Sequence, residues 1–149
     1  MTEIADGVAD GFGPIFRSSP TLDALGGFMS RGSGASLEIA LLVGATHLNS
    51  HGTLHGGVAA TLADTGTGYL LAFATAPPRR MVTISLTVDY LSPAQLGELV
   101  QVVVDGSDLG GRTVFASGRL VVGARTVARI RVMFALTAVE ARAAVRQTD

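Results

Sequence analysis

The chain has 149 residues, of which 48% are apolar and 15% charged, with a formal net charge of −1. A chain of this length usually forms one domain with a sizeable core, and its nearly neutral charge gives no overall field that would favour nucleic acid. It contains no cysteine, and all 11 basic residues are arginine, which excludes disulfides, thiolate catalysis, zinc–thiolate sites and a lysine Schiff base.

The N-terminal stretch MTEIADGVAD is acidic and lacks the basic and apolar parts of a secretory signal. The longest strongly apolar run, residues 69–76, is too short to cross a bilayer. We therefore expect a cytoplasmic protein without membrane association. The high apolar fraction is consistent with extra surface that is buried between subunits.

The first elements in chain order are a short helix and a strand. In the sequence SSPTLDALGG, Ser19 is placed to cap the helix, Pro20 to begin it, and the glycines at 26–27 to end it. The rest of the first 35 residues is rich in loops. Apolar and polar residues then alternate over residues 36–43, which predicts a strand.

The next element is a long helix with a carboxylate inside it. Apolar residues spaced mostly three or four apart run through residues 58–73, alanines fill the other faces, and the prolines at 77–78 stop the helix. Asp64 lies in the middle of this apolar helix. Because burying an unpaired carboxylate is costly, Asp64 bonds a neighbouring hydroxyl such as Thr65 or Thr67, faces a polar interface, or serves a function.

Four more strands are predicted in the second half of the chain. They cover residues 82–90, 99–104, 112–122 and 126–136, with turns in SPAQLGE, DGSDLGG and at the Gly-Ala pair between the last two. Short turns make consecutive strands antiparallel neighbours. The sequence therefore predicts an α+β domain, in which an antiparallel sheet of about five strands wraps around one long central helix. Residues 139–146 are predicted to form a frayed helix.

The segment that begins at Asn49 carries a spaced pattern. Asn49 is followed by Gly-x-x-His-Gly-Gly at residues 52–57, and Asp64 stands eight residues beyond Gly56. Together with TVDYLSPAQLGE downstream, this pattern resembles the phenylacetate-degradation-type (PaaI-like) branch of the hotdog-fold acyl-CoA thioesterases. The resemblance extends over about residues 34–136.

The resemblance implies a fold, a reaction and an assembly. We expect a single hotdog domain with an N-terminal extension (1–33), a core (34–137) and a C-terminal tail (138–149). The implied activity is hydrolysis of an aryl- or short- to medium-chain acyl-CoA, without a cofactor, because coenzyme A is part of the substrate. The family builds its sites between subunits, commonly in dimers of dimers, so a homodimer or homotetramer is expected.

Thioester hydrolysis needs a stabilised oxyanion and a group that attacks the carbonyl or delivers water. The first amides of a helix lack intrahelical partners, and glycine lets a ligand approach them closely. Gly56 and Gly57 lie at such a helix start, and the resemblance assigns the oxyanion to the Gly56 N–H. Asp64 is the candidate for the second role, as general base or as nucleophile.

The length of the helix favours a site that two chains share. Gly56 and Asp64 are about 12 Å apart along one helix, at about 1.5 Å per residue, whereas one carbonyl must lie about 3 Å from both groups. Two antiparallel helices could bring Gly56 of one subunit to Asp64 of another. We therefore predict an obligate dimer with composite sites.

Two further residues each have two interpretations. Thr83 orients the water or holds the Asp64 oxygens, as the resemblance implies, or it is an ordinary strand threonine. Asn49 donates its amide to the thioester, or it fixes the turn before the helix.

Three histidines recur at every fourth residue, His47, His51 and His55, which is the spacing of a metal site on a helix. The turn-forming residues between them argue against a helix, and an acidic ligand is missing, so we expect no metal. We expect His55 to shape the helix entry and to lie, with Gly57, against the substrate.

Coenzyme A carries phosphates, which need cationic or N–H-rich contacts. The resemblance places the nucleotide near Tyr90 and the GGRT turn, which comprises Gly110, Gly111, Arg112 and Thr113. The arginines at 79–80 are a second candidate, although they also suit the dipole at the helix C-terminus. A solvated sheet face is expected for Arg119, Arg129 and Arg131.

Two other functions stay open. A non-catalytic acyl-CoA-binding or regulatory module on the same fold would bind acyl-CoA without turnover. An enoyl-CoA hydratase or dehydratase would pair a catalytic histidine with an acid, and the sequence shows no such pair. The acyl group is not specified, because Tyr69, Leu70 and Phe73 suit an apolar tunnel as well as a core.

Overall fold

The computed structural model describes residues 11–137 of the chain. These residues form helices α1 (Pro20–Leu25) and α2 (Gly56–Ala72), with single 3-10 turns at Gly34–Ser36 and Ala45–His47. Their strands are β1 (Gly13–Pro14), β2 (Phe28–Arg31), β3 (Glu38–Leu42), β4 (Met81–Tyr90), β5 (Leu99–Leu109), β6 (Thr113–Val122) and β7 (Arg125–Leu136). The helix predicted at 139–146 lies outside the described residues.

The strands form one antiparallel sheet in the order β1-β2-β3-β5-β6-β7-β4. Helix α2 packs against strands β3 to β7, so the predicted α+β architecture with a central helix is confirmed. Strand β4 follows α2 in the chain but lies at the far edge of the sheet, where it pairs only with β7 among the described strands. One long edge of β4 is therefore open.

The sheet has two more strands than the sequence predicted. Strands β1 and β2 lie within the first 35 residues, which were expected to be loop-rich, and β2 pairs with β3 through the register Phe28↔Leu41. With two and four residues, these strands are too short to show an alternation. Between them, α1 begins as predicted, because the Ser19 hydroxyl accepts a hydrogen bond from the Leu22 amide and Pro20 opens the helix.

Two predicted boundaries were wrong. The DGSDLGG segment was predicted as a turn, but β5 continues through it to Leu109 by means of a bulge between Val104 and Gly106. The neighbouring strand β6 supplies hydrogen-bond partners for this extension, and the sequence of the segment alone does not reveal that partner. Helix α2 ends at Ala72 and not at the prolines, which belong to the loop that leads to β4.

Close packing between α2 and the sheet fixes the distance between them. Leu62 is fully buried beneath it, and burying a side chain of this size contributes roughly 1.5–3 kcal/mol. Gly66 lies so near the sheet that an added Cβ would be 2.5 Å from a Val102 methyl group and 3.4 Å from an Ile39 methyl group. Within residues 11–137, no helix is both long and apolar enough to span a membrane.

Candidate functional site

A bulge in β4 turns Thr83 toward the central helix. Thr83 pairs with Phe134 and Ser85 with Met133, so Ile84 is an extra residue in the strand. Because side chains alternate along a strand, the extra residue reverses the alternation at this point. Thr83 therefore points to α2, while Ile84 remains 54% exposed on this single chain.

The side chains of Thr83 and Asp64 are in direct contact. Thr83 Oγ1 donates a hydrogen bond of 2.6 Å to Asp64 Oδ1. Asp64 is half-buried and lines two cavities of about 810 and 440 Å³. Within residues 11–137, Asp64 Oδ2 accepts no hydrogen bond from protein, and the neighbouring hydroxyls of Thr65 and Thr67 do not bond it. One carboxylate oxygen is thus held, and the other faces open space.

At the start of α2, two consecutive amides have different surroundings. His55 caps the helix, and its Nδ1 accepts a hydrogen bond of 2.9 Å from the Gly57 amide. The Gly56 amide has no partner in the described part of the chain. The positive end of the helix dipole adds to its attraction for negative charge. The imidazole thus occupies one of the two glycine amides and leaves the other available.

Tyr90 holds the peptide group that follows this free amide. Its hydroxyl donates a 2.5 Å hydrogen bond to the Gly56 carbonyl oxygen. Burial raises the pKa of the Tyr90 hydroxyl, so the donor keeps its proton over a wider pH range. A Cβ on residue 56 would lie 3.3 Å from the tyrosine ring and its hydroxyl, which is a tight contact. Glycine at this position therefore lets the ring lie close to the helix start.

Asn49 fixes the loop that leads to the helix. Its Oδ1 accepts hydrogen bonds from the amides of His51 (2.9 Å) and Thr53 (3.1 Å), and its Nδ2 donates one of 3.1 Å to Thr53 Oγ1. One of the two Nδ2 hydrogens is left over. Asn49 lines a third cavity, of about 360 Å³, together with Gly56 and Tyr90. The side chain of Asn49 therefore fixes the turn before the helix. Its remaining Nδ2 hydrogen is still available to donate to a thioester.

His47 anchors the entry to the site, a role that its spacing did not reveal. The ring is 2% exposed; its Nδ1 accepts from the Gly44 amide at 2.9 Å, and its Nε2 lies 2.8 Å from the Leu25 carbonyl oxygen. Its own carbonyl accepts from the His55 amide at 2.8 Å. His47 thus ties the end of α1 to the cap of α2. Within the described ranges, no three His, Asp or Glu side chains come together as a metal site would require.

The predicted residues fall into two groups at opposite ends of the sheet. Asn49, His55, Gly56, Gly57 and Tyr90 gather at one end. The GGRT turn lies at the other, since Tyr90 pairs with Ala128 and Thr113 pairs with Ala135. These two positions on β7 are about 23 Å apart, at about 3.3 Å per residue. One chain alone therefore does not bring the GGRT turn to Tyr90.

Asp64 and Gly56 also lie in different cavities of the single chain. Asp64 lines the cavities of about 810 and 440 Å³ and Gly56 the one of about 360 Å³, while Gly57 alone of the glycine pair reaches an Asp64 cavity. The 810 Å³ cavity also includes residues that the sequence did not single out together: Arg17, Ser18, Phe134 and Thr137. They come from separate segments, and only the folded sheet places them side by side.

Comparisons with known proteins agree with this architecture. The chain is 45% identical over 130 residues to Putative esterase PA0474 of Pseudomonas aeruginosa, covering 87% of this chain and 97% of that protein. Human Acyl-coenzyme A thioesterase 13 is 38% identical over 72 residues, 48% of this chain and 50% of that protein. A mutant of the phenylacetic acid degradation protein PaaI from Thermus thermophilus superposes with a TM-score of 0.67 at 26% identity, covering 78% and 98% of the two chains.

The family model for the thioesterase superfamily matches residues 51–128, just over half of the chain. The matched region begins just before the His-Gly-Gly turn and contains α2 and β4, and hence both Asp64 and Thr83. On this match, and on the similarity of nearly its whole length to the Pseudomonas protein, the chain belongs to the thioesterase superfamily.

Proposed function

We propose that the protein hydrolyses the thioester of an aryl- or short- to medium-chain acyl-CoA. One observation carries the proposal: Asp64 is held by Thr83 through one oxygen and presents the other to a cavity. The name of the thioesterase 13 relative specifies an acyl-coenzyme A substrate, and that of the PaaI structure specifies phenylacetic acid degradation.

The Gly56 amide and the Asp64 carboxylate supply the two functions that the reaction needs. The amide donates to the carbonyl oxygen as it becomes negatively charged. As a general base, Asp64 takes a proton from water, the hydroxide adds to the carbonyl carbon, and the C–S bond breaks. The proton then passes to the departing thiolate of coenzyme A. As a nucleophile, an Asp64 oxygen would instead add to the carbonyl carbon and displace the coenzyme A thiolate, which takes up a proton from water. Hydrolysis of the resulting acyl anhydride gives the same products.

We place each site between two subunits related by a two-fold axis. Strand β4 offers a long open edge, and its Val82 and Ile84 side chains are 60% and 54% exposed, as expected of a strand that is covered in an assembly. Antiparallel pairing of two β4 strands about a point near Leu86 would bring the Thr83 end of one to the end of the other that carries Tyr90. Asp64 of one chain would then approach the partner's Gly56.

The same pairing would reunite the predicted coenzyme A contacts. The GGRT turn lies at the Thr83 end of the sheet and Tyr90 at the opposite end, so a two-fold axis brings the turn of one chain near the tyrosine of the other. Contacts of coenzyme A with Tyr90 and with residues 110–113 belong to this proposal.

The first experiment replaces Asp64 by asparagine, which keeps the shape and the hydrogen bond from Thr83. Thiol release is measured over a panel of acyl- and aryl-CoA substrates. We expect kcat to fall by about 10²–10⁴, with substrate binding retained. Wild-type turnover in Asp64→Asn would refute the assignment of Asp64. Binding without turnover by the wild-type protein would instead identify a non-catalytic acyl-CoA-binding module.

A second experiment tests the Gly56 amide and the shared site together. Gly56→Pro removes the N–H at a helix position that tolerates proline, and the extended backbone of His55 (φ −63°, ψ 132°) suits a following proline. Gly56→Ala is the matched control, because it adds the same Cβ near Tyr90 but keeps the N–H. We expect a much larger loss of kcat for proline than for alanine.

Mixing the two inactive variants then decides whether the site is composite. In a mixed dimer of Asp64→Asn and Gly56→Pro chains, one of the two sites would be intact if each site takes one residue from each chain. Co-refolded protein should therefore regain about a quarter of the wild-type activity. A mixture that stays inactive, although both chains co-purify, would contradict the shared site.

A further inference from the structure

The cavity lined by Asp64 and Thr83 runs from Asp64 along α2 to the C-terminal end of that helix. Its volume is about 810 Å³, enough for a sizeable ligand group. Asp64 and Thr83 lie at one end, and Gly68 forms part of the wall. Because Ala72 lies eight residues after Asp64, the helix end is about 12 Å further along the axis.

A wall of this cavity comes from the N-terminal segment, which aromatic contacts hold in place. The Phe16 ring packs edge-on against Tyr69 and Phe73, with centroids 5.6 and 4.9 Å apart. The Tyr69 hydroxyl donates a hydrogen bond of 3.1 Å to the Arg17 carbonyl oxygen. The backbone of Arg17 is thus fixed beside the cavity, with the guanidinium 6.0 Å from the Phe73 ring centroid.

The far end of the cavity is cationic. Arg17, Arg79 and Arg80 line it, and Asp64 is the only acidic residue among the described residues of the lining. The Arg79 amide donates to the Ala72 carbonyl oxygen at 3.0 Å, which places this arginine at the helix end. In the part of the chain that the structure describes, neither Arg17 nor Arg79 pairs with a carboxylate.

A neutral donor lies against the same space. Thr137 lines the cavity, and within residues 11–137 its buried hydroxyl has no hydrogen-bond partner. In that range the hydroxyl is a donor without a partner, and the residues around it enclose it. The helix dipole accounts for an arginine next to Ala72, but it does not account for Arg17, which comes from another segment, or for the unpaired hydroxyl.

We infer that this cavity binds the acyl group of the substrate and that its far end receives a carboxylate at the end of that group. The preferred substrate is therefore an acyl-CoA whose acyl group carries a terminal carboxylate. The inference rests on the proposed thioesterase function. The phosphates of coenzyme A are the competing ligand for these arginines. The GGRT turn lies at the same end of the sheet, where the Leu136 amide donates to the Arg112 carbonyl oxygen and the Thr137 amide to the Arg80 carbonyl oxygen. The variants below therefore separate a carboxylate of the acyl group from the phosphates.

Binding of two non-hydrolysable probes tests the inference independently of turnover. The first is an S-octyl thioether of coenzyme A, and the second is the same thioether with a carboxylate in place of the terminal methyl group. Titration calorimetry with the wild-type protein should show the carboxylate probe binding about tenfold more tightly, as a charge-assisted hydrogen bond allows. Equal affinities, or tighter binding of the octyl probe, would overturn the inference.

Variants then locate the carboxylate. Arg79→Gln and Arg17→Gln should each lower the affinity for the carboxylate probe. The affinity for the octyl probe should stay within about twofold of the wild-type value. Arg129→Gln, which removes the same charge from an exposed position outside the cavity, should change neither affinity. If Arg79→Gln weakens both probes equally, the arginine binds the coenzyme A portion that they share, and the inference is wrong.

Turnover separates this inference from the proposed function. Suberoyl-CoA and octanoyl-CoA have the same chain length and differ only in the terminal group. If neither these nor the other thioesters are hydrolysed, the proposed function fails, while the affinities of the two thioethers still decide the carboxylate preference. If both are hydrolysed and octanoyl-CoA has the higher kcat/KM, the proposed function stands and the inference fails.

Discussion

Two glycines in α2, only two positions apart, should respond in opposite ways to replacement by alanine. Alanine stabilises a helix by about 1 kcal/mol relative to glycine. At Gly66, however, the new Cβ would lie 2.5 Å from a Val102 methyl group, well inside the roughly 3.5–4.0 Å of a normal carbon contact. Valine is stiff about χ1, and overpacking of this kind costs about 1–3 kcal/mol. After the gain in helix propensity is subtracted, we expect Gly66→Ala to lower the free energy of unfolding by up to about 2 kcal/mol.

The control is Gly68→Ala in the same helix. There the nearest atoms to the added Cβ are those of Phe134 at 3.6 Å, an ordinary contact, so the helix propensity should dominate and stabilise the fold by up to about 1 kcal/mol. Urea unfolding at a fixed protein concentration measures both variants. Each kcal/mol corresponds to about 2–4 °C in Tm for a chain of this size.

Shortening the side chain at position 102 should rescue the Gly66→Ala variant. Val102→Ala should remove the clash and return part of the stability of Gly66→Ala, although it costs stability in the wild-type background. If Gly66→Ala is as stable as Gly68→Ala, then α2 does not pack on the sheet as closely as the structure shows. The position of Asp64, two residues before Gly66, would then need revision as well.

Two further predictions concern the site and the acid stability. Thr83→Val removes the hydroxyl that donates to Asp64, while Thr83→Ser keeps it. The valine variant should therefore lose about tenfold in kcat, and the serine variant much less. Equal rates of the two variants in steady-state assays would refute this role of Thr83. The Gln95 amide first, and Arg125 second, hold the pKa of Glu98 below its ordinary value of 4.5. The stability that this gives is present above pH 4.5 and is lost as the pH falls through the lower folded pKa. Urea titrations should therefore show that Glu98→Gln has a lower free energy of unfolding than the wild-type protein, and that this difference shrinks as the pH falls below 4.5. A difference that stays constant with pH would contradict the stabilising role of the Glu98 carboxylate.

Local patterns in the sequence were enough to predict most of the fold. Ser19 and Pro20 mark the start of α1, and the spacing of apolar residues marks α2, because capping and amphipathic periodicity act within a few residues. The helix start at Gly56 and the distance to Asp64 follow from the same local rules. The roles assigned to these residues stay predictions until the variants are measured.

Pairing between distant segments determined what the sequence could not show. Strand β2 is defined by its partner β3, and the second half of β5 by β6. His47 was grouped with two other histidines by spacing, whereas its ring bonds the backbone at Gly44 and Leu25. A hydrogen bond of this kind depends on where two segments meet, and residue spacing carries no record of it.

The sequence by itself thus determined the α+β class, the central helix that starts at the glycine pair and the position of its carboxylate, since each follows from local periodicity or turn chemistry. Only the tertiary structure decided that Thr83 faces Asp64, because that depends on the extra residue Ile84 in the ladder between β4 and β7. It also decided that Arg17 and Arg79 share a cavity with Asp64. The reason is that a bulge and a cavity are properties of paired segments, and their geometry exists only after the chain has packed.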